Sequence, residues 1–281
     1  MAGRWESTLG NGGALLLVAP LVVLLACFVG YPLVKLTIDS LSVGGLDSYR
    51  IVIESSSGRR ALVTTVLVAV AVAVTAVAIG GLLAWYARTA RSAWVRAVIW
   101  VALLVPFFMG TVTRNYAIVL LLADNGPIND LLRALGLEPV KLLYSSGGVA
   151  LGIVYTMIPP AAFALYGVLL TIDETLIAAA RGMGASRVRA ALTVTLPLAL
   201  PGVIAALALV FAVSLGFYVT PVLIGGAQAP FMASLIQDYV FGSYDLELAY
   251  AASVMLLVAA LAVVGLALAL VGRRRLLRAV A

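Results

Sequence analysis

The chain has 281 residues, 64% of them hydrophobic and only 11% charged, with a mean hydropathy of +1.15. Soluble domains run at roughly 45–50% apolar and about 25% charged, so a water-soluble enzyme and a disordered chain are both excluded. The 18 Lys and Arg against 12 Asp and Glu leave a net charge of +6, whose meaning depends on where the charges fall.

Six apolar runs are long enough to cross a membrane, which takes about 20 residues for about 30 Å of hydrocarbon. The first runs from about Gly13 to Val34 and the second from about Leu62 to Tyr86. The third, about Val95 to Ala123, is interrupted by Pro106, Gly110 and Arg114. The fourth, about Gly147 to Leu170, contains Pro159-Pro160. The fifth runs from about Pro197 to Ile224, and the sixth from about Leu248 to Val271. Strands of an outer-membrane barrel would be shorter and would alternate in polarity. The predicted fold is an all-α integral membrane bundle of six transmembrane helices spanning residues 13–272, between tails at 1–12 and 273–281.

Near the N-terminus, Leu24-Leu25-Ala26-Cys27 loosely imitates a lipoprotein cleavage box. The apolar run continues through Phe28, Val29 and Tyr31, too long for a signal segment, so a retained first helix is expected. Cys27 then reads as a small apolar residue in that helix.

Histidine is absent, which removes Ser-His-Asp and Cys-His nucleophiles and every His-based metal site. The single cysteine, Cys27, makes neither an internal disulfide nor a thiolate zinc site. Lys35 and Lys141 are the only lysines, and neither sits in a phosphate-binding loop. Catalysis by this chain is not expected, no cofactor is implied, and any ATP energy has to come from a partner.

With six spans both termini share one side. If that side is the cytoplasm, the inside segments hold eleven arginines against Glu6, Asp173 and Glu174, a net +8. The outside loops hold six Lys and Arg against nine acids, a net −3, and Arg114 within a span supplies the remaining +1. Excess Lys and Arg marks the cytoplasmic side, so both termini are placed inside. The arginines are scattered at helix ends with no aromatic platform beside them, which argues against a nucleic-acid partner.

One inside loop carries more information than a tether. From Ile172 to Pro201 the sequence allows Asp173 or Thr175 to cap a helix whose first turn holds Glu174. Ala178, Ala179 and Ala180 continue it with a nearly flat surface. Gly184 is placed to end it in a left-handed conformation, and Ser186 to cap a second helix leading to Leu196-Pro197. Two readings stand open on physics alone: an amphipathic connector on the membrane surface, or a docking helix for a cytoplasmic partner.

This segment resembles the EAA loop of binding-protein-dependent ABC transporter permeases, with the pattern Glu-Ala-Ala-x3-Gly-x9-Ile-x-Leu-Pro. Ala179, Ala180, Gly184, Leu196 and Pro197 match, Val194 stands for the Ile, and Ala178 departs from the Glu. Glu174, one turn earlier, is the candidate substitute. The surrounding Ala-Ala-Arg-x-Met-Gly-Ala-Ser is also similar to the family. Elsewhere the chain resembles the spermidine/putrescine permease branch. The resemblance lies in Tyr31-Pro32, Leu46-Asp47-x-Tyr49, Arg114-Asn115-Tyr116, Gly126-Pro127-Ile128-Asn129 and the stretch from Ser214 to Gly226. Permeases for iron, 2-aminoethylphosphonate and other small solutes share much of this pattern.

The resemblance implies an inner-membrane permease subunit of an ATP-driven importer, of the type I fold, with a coupling loop at about 172–197. Its implied partners are a second permease subunit, usually a different chain, two ATPase subunits and an extracytoplasmic solute-binding protein. Glu174, Ala178, Ala179, Ala180, Arg181, Gly184, Ala185, Ser186 and Arg187 are then the candidate ATPase-docking residues. The candidate pathway residues are Arg114, Ser214, Tyr218, Thr220 and Pro221, with Pro221 expected to interrupt the fifth span. Packing between helices is the competing reading for the Ser214–Thr220 group. Arg114 is read either as functional or as a cap on backbone carbonyls. An arginine in the route would repel a polyamine, and no span supplies an acid to bind one. A secondary transporter is the rival class, but no repeat between the halves is evident.

Overall fold

The computed structural model describes residues 19–226 and 229–280, with side chains through residue 266 and at residue 269. The expected tail at 1–12, residues 13–18 of the first span and the side chains of Arg273, Arg274, Arg275 and Arg278 fall outside it.

The described residues form helices joined by short turns. Five helices are long and apolar enough to cross a membrane, and a bent pair supplies the sixth crossing. The first, α1 (Ala19–Ser42), runs eight residues past the expected end, with Lys35 paired to Asp39 at 2.9 Å. A short α2 (Gly45–Glu54) leads into α3 (Ser56–Thr89), whose first turn is capped by Ser55 accepting from the Gly58 amide.

The third span breaks into α4 (Ala93–Phe108) and α5 (Thr111–Leu122), and the stretch Thr111–Ala134 is bent by 111° from α4. Met109 and Gly110 are extended at the break, three residues after Pro106 removes a helical donor. A small α6 (Pro127–Ala134) follows, held by Asn129, whose side chain bonds Ala123 and Val140 of the flanking loops.

The fourth span, α7 (Ser146–Leu170), passes through Pro159-Pro160 without a break. It packs most extensively against α3. The reason for the close fit is Gly80: a Cβ there would lie 2.8 Å from the Ala162 amide and 3.0 Å from the Ala161 Cβ. Small residues let membrane helices approach closely, and dispersion does the rest. Trp100 and Phe107 of α4 stack against Phe163 and Tyr166 of α7, which anchors the broken span to this pair.

After α7 come α8 (Glu174–Gly182) and α9 (Arg187–Leu215), which contains a π segment at Ala191–Thr195. The fifth span therefore starts and stops earlier than expected. Gly216 ends it, and Pro221 does not interrupt a helix but opens a separate π turn, Pro221–Gly225. At that first-turn position its missing N–H costs nothing. The chain continues through α10 (Met232–Gln237) to α11 (Leu246–Val280), which runs on through the arginines expected to form a tail. Val52, Ala61, Met232, Ala251 and Ala252 form a second core, where Thr65 accepts the Met232 amide at 2.8 Å.

Gly80→Leu is expected to destabilise the bundle by about 1–3 kcal/mol through overpacking at the α3–α7 crossing. Gly167→Ala, with nothing within 4 Å of the added carbon, is expected to be near neutral. Thermal unfolding of the two purified variants in one detergent checks the contrast.

Candidate functional site: a capped loop helix and a polar break

The loop between α7 and α9 is built as two capped helices. Asp173 accepts a hydrogen bond from the Thr175 amide at 2.9 Å and so starts α8, as one of the two candidate caps. At the other end Gly184 has φ +91, and the Ala185 amide reaches back to the Ala180 carbonyl at 3.1 Å. That bond closes the helix with a left-handed glycine, the geometry expected of Gly184. Nothing lies within 4 Å of a Cβ on Gly184, so glycine is required there by the backbone and not by crowding. Ser186 then accepts from the Arg189 amide at 3.2 Å and starts α9.

The three alanines do not share one surface. Ala178 and Ala179 are exposed, whereas Ala180 is buried with half-buried Ile177 on the side facing the bundle. Glu174, Arg181, Ser186 and Arg187 are exposed, and Ala185 is half-buried. Leu176, Ala179 and Met183 make an uncovered apolar stripe at helical spacing, with Met183 84% exposed.

Sequence reasoning counted Arg88 only as a topology charge. In the structure its side chain is 7% exposed and donates to the Ile172 carbonyl at 2.7 Å, tying the end of α3 to the start of the loop. Its approach to Glu174 is 4.0 Å, with that carboxylate almost fully in solvent. A basic residue in the last turn of a span was the available signal.

The other candidate residues gather at the opposite breaks. Arg114 is buried and donates to the Pro106 carbonyl at 3.1 Å, with a longer approach to Met109 at 3.5 Å. These carbonyls belong to the end of α4, so the guanidinium caps the broken span and complements its dipole. Ser214 is buried and returns its hydroxyl to the Val210 carbonyl at 2.6 Å. Tyr218 is half-buried in the unwound stretch after Gly216, and Pro221 is buried. Thr220 is fully buried, and its methyl would meet a Cβ on Gly152 at 3.0 Å. The Thr220 hydroxyl and the Asn115 side-chain carbonyl are both buried without a partner. Thr220 and Ile118 both border Gly152 of α7, and Asn115 lies one turn before Ile118 on α5. Asn115 appeared in the sequence only as part of a family-like triplet.

The cap makes the loop sensitive to acid. Hydrogen bonding to Thr175 holds the Asp173 carboxyl below its ordinary value. A depressed folded pKa stabilises α8 above the unfolded value, and that contribution is lost as pH falls through the folded value. Amide protection of residues 174–182 is therefore expected to be flat from neutral pH down to the ordinary carboxylate range and to fall below it. Asp173→Asn, which keeps an acceptor without a charge, is expected to remove that fall in a hydrogen-exchange series.

The chain is similar to several known proteins. The spermidine/putrescine transport system permease protein PotB of Escherichia coli (strain K12) is 30% identical over 158 residues, 53% of this chain and 58% of the relative. The chain thus spans under two thirds of the length of the curated relatives it matches. Among solved structures, a bacterial ABC transporter involved in import of the acidic polysaccharide alginate superposes with a TM-score of 0.78 at 19% identity. That match covers 92% of this chain and 95% of the other. A bacterial alginate ABC transporter in complex with an alginate pentasaccharide-bound periplasmic protein also gives 0.78, over 90% and 92% of the two chains at 19% identity. These structures share the fold of an ABC importer permease. Residues 76–276, which hold the loop, both breaks and most of the bundle, match the binding-protein-dependent transport system inner membrane component family, and this multi-pass inner-membrane chain belongs to it.

Proposed function

We propose that this chain is the membrane-spanning permease subunit of an ATP-driven importer, with α8 as the helix that receives the ATPase. The observation that carries the reading is the construction of α8. It is capped at both ends, tied to the bundle by Arg88, and presents Leu176, Ala179 and Met183 uncovered. A helix held this rigidly transmits displacement to the spans it joins. Ala178, Arg181, Ala185, Ser186 and Arg187 complete the docking surface, and Ala180 supports it from below.

In this reading two ATPase subunits dock on two permeases, the second being a different chain, and an extracytoplasmic binding protein delivers the solute. The loop and both termini lie on the cytoplasmic side, which the arginine excess favours. ATP hydrolysis belongs to the partner, and this subunit contributes no catalytic group. Closure of the ATPase pair moves α8, and the bundle alternates between outward and inward access. Ser214, Tyr218, Thr220 and Pro221 line the route, because unwound backbone at membrane depth is tolerated beside protein or a water-filled cavity. Arg114 enters through the bend it holds between α4 and α5.

The solute is a small polyamine-like one, following the relative named above. Recognition of its charge then rests with the binding protein, since no Asp or Glu is buried among the described residues. Uptake of radiolabelled spermidine by vesicles carrying the assembled transporter tests the solute.

Gly184→Val forces a β-branched residue into φ +91, at a cost of about 1–2 kcal/mol to the end of α8. Its expected outcome is about a tenfold or greater loss of uptake at an unchanged level of inserted protein. Full uptake by this variant contradicts the assignment of α8.

A further inference from the structure

The Arg88 guanidinium is only half used. Its Nη2 donates to the Ile172 carbonyl at 2.7 Å, while Nη1 is buried without a partner. The side chain is 7% exposed, so bulk water has little access to it. A buried N–H of a charged group is costlier to leave unpaired than a neutral one. In a folded protein such a group calls for an explanation.

A partner of the right kind stands just out of reach. The Glu174 carboxylate, in the first turn of α8, lies 4.0 Å from Nη2. Among the described residues Arg88 is the one cation this close to it. The neighbouring acid, Asp173, is committed, since its Oδ1 accepts the Thr175 amide. Glu174 stays open because its side chain is 86% exposed and keeps its hydration. In water the attraction at this distance is weak, and it grows several-fold as solvent is excluded.

Closing the pair takes little movement. A charge-assisted N–H···O bond is about 2.7–2.9 Å long, so the carboxylate has to shift by roughly 1 Å. Nη2 has a second N–H, and with Nη1 beside it the fork can take both carboxylate oxygens. Glu174 also belongs to the exposed side of α8, where it shares a flank with Arg181, seven residues on. A protein seated on that side shields Glu174 from water.

We propose that docking of the ATPase on α8 closes Arg88 and Glu174 into a two-bond ion pair. The inference rests on the reading of α8 given under Proposed function and gives Glu174 a role within its own chain. The closed pair joins the first turn of α8 to the last turn of α3, beside the existing bond to Ile172. The joint through which α8 moves the spans therefore stiffens when the ATPase is seated. Glu174 is a positioning residue that acts through Arg88, and not a contact to the ATPase.

The test uses the assembled transporter in lipid nanodiscs with solute-loaded binding protein. Two quantities are read: the affinity of the ATPase subunit for the permease pair, and the solute-stimulated turnover. E174Q keeps the shape and loses the charge. It is expected to bind the ATPase as the wild type does and to lose about fivefold in stimulated turnover, the low end of ordinary couplings between sites. R88K keeps the charge but has one nitrogen in place of the fork. In that background E174Q is expected to change stimulated turnover by less than about twofold, because the pair is already broken.

An equal loss from E174Q in both backgrounds overturns the proposal, since Glu174 then acts independently of Arg88. Full stimulated turnover by E174Q overturns it too. A fall in ATPase affinity with E174Q overturns it and assigns Glu174 to the docking surface. A wild-type permease that binds no ATPase overturns the reading of α8 itself, and the affinity measurement tells that failure apart from the others.

Discussion

The close approach of α3 and α7 at Gly80 sets the geometry on which the loop depends. With no side chain at that position, the two backbones meet over Ala161 and Ala162. Eight residues further along α3, about 12 Å on, Arg88 is within reach of the Ile172 carbonyl just beyond α7. A hydrogen bond from a charged donor to a buried carbonyl contributes about 1.5–3 kcal/mol, and this one is 2.7 Å long. The 4.0 Å approach to an exposed Glu174 contributes far less, in the range of about 0–1 kcal/mol for surface pairs. The carbonyl holds Arg88, and Arg88 holds the loop.

The same logic explains the broken span at the other end. Bending a helix at membrane depth frees carbonyls that no lipid can satisfy. Arg114, the charge within the third span, lies one turn after the break and supplies the donor to Pro106. A buried charge is expensive unless it is hydrogen-bonded; here Arg114 Nη1 answers the carbonyls of the bend, while its Nε is buried without a partner. The stretch after Gly216 is also incompletely satisfied. It leaves the Thr220 hydroxyl without a partner, and the Asn115 carbonyl on α5 is likewise unpaired.

Much of this was legible in the sequence because its signals are local. The caps at Asp173 and Ser186 and the left-handed Gly184 depend on residues within a few positions of each other, and all three appear as read. The spans follow from length and hydropathy, although their ends shifted where helices continued past polar residues, as at Lys35 and Asp39. Pro221 was misplaced because a proline reads alike as a breaker and as a first-turn residue; Gly216, already stopping α9, decides between them. Arg88 was out of reach because its partner is 84 positions away. Ala180 was read as part of a flat docking face because composition does not say which side of an alanine run meets the bundle. The pairing of Arg114 with carbonyls, one of two readings open at first, needed the bend of α4 against α5 to be seen.

In the proposed reading the bundle takes its energy from an external ATPase through the loop helix. If that link runs through Arg88, then loosening it separates assembly from coupling. The direct measurement is solute-stimulated ATPase activity of the reconstituted transporter carrying Arg88→Met, beside the amount of ATPase subunit that copurifies. The account predicts a complex that still assembles but whose ATPase no longer responds to solute-loaded binding protein. Full stimulation by that variant would contradict it.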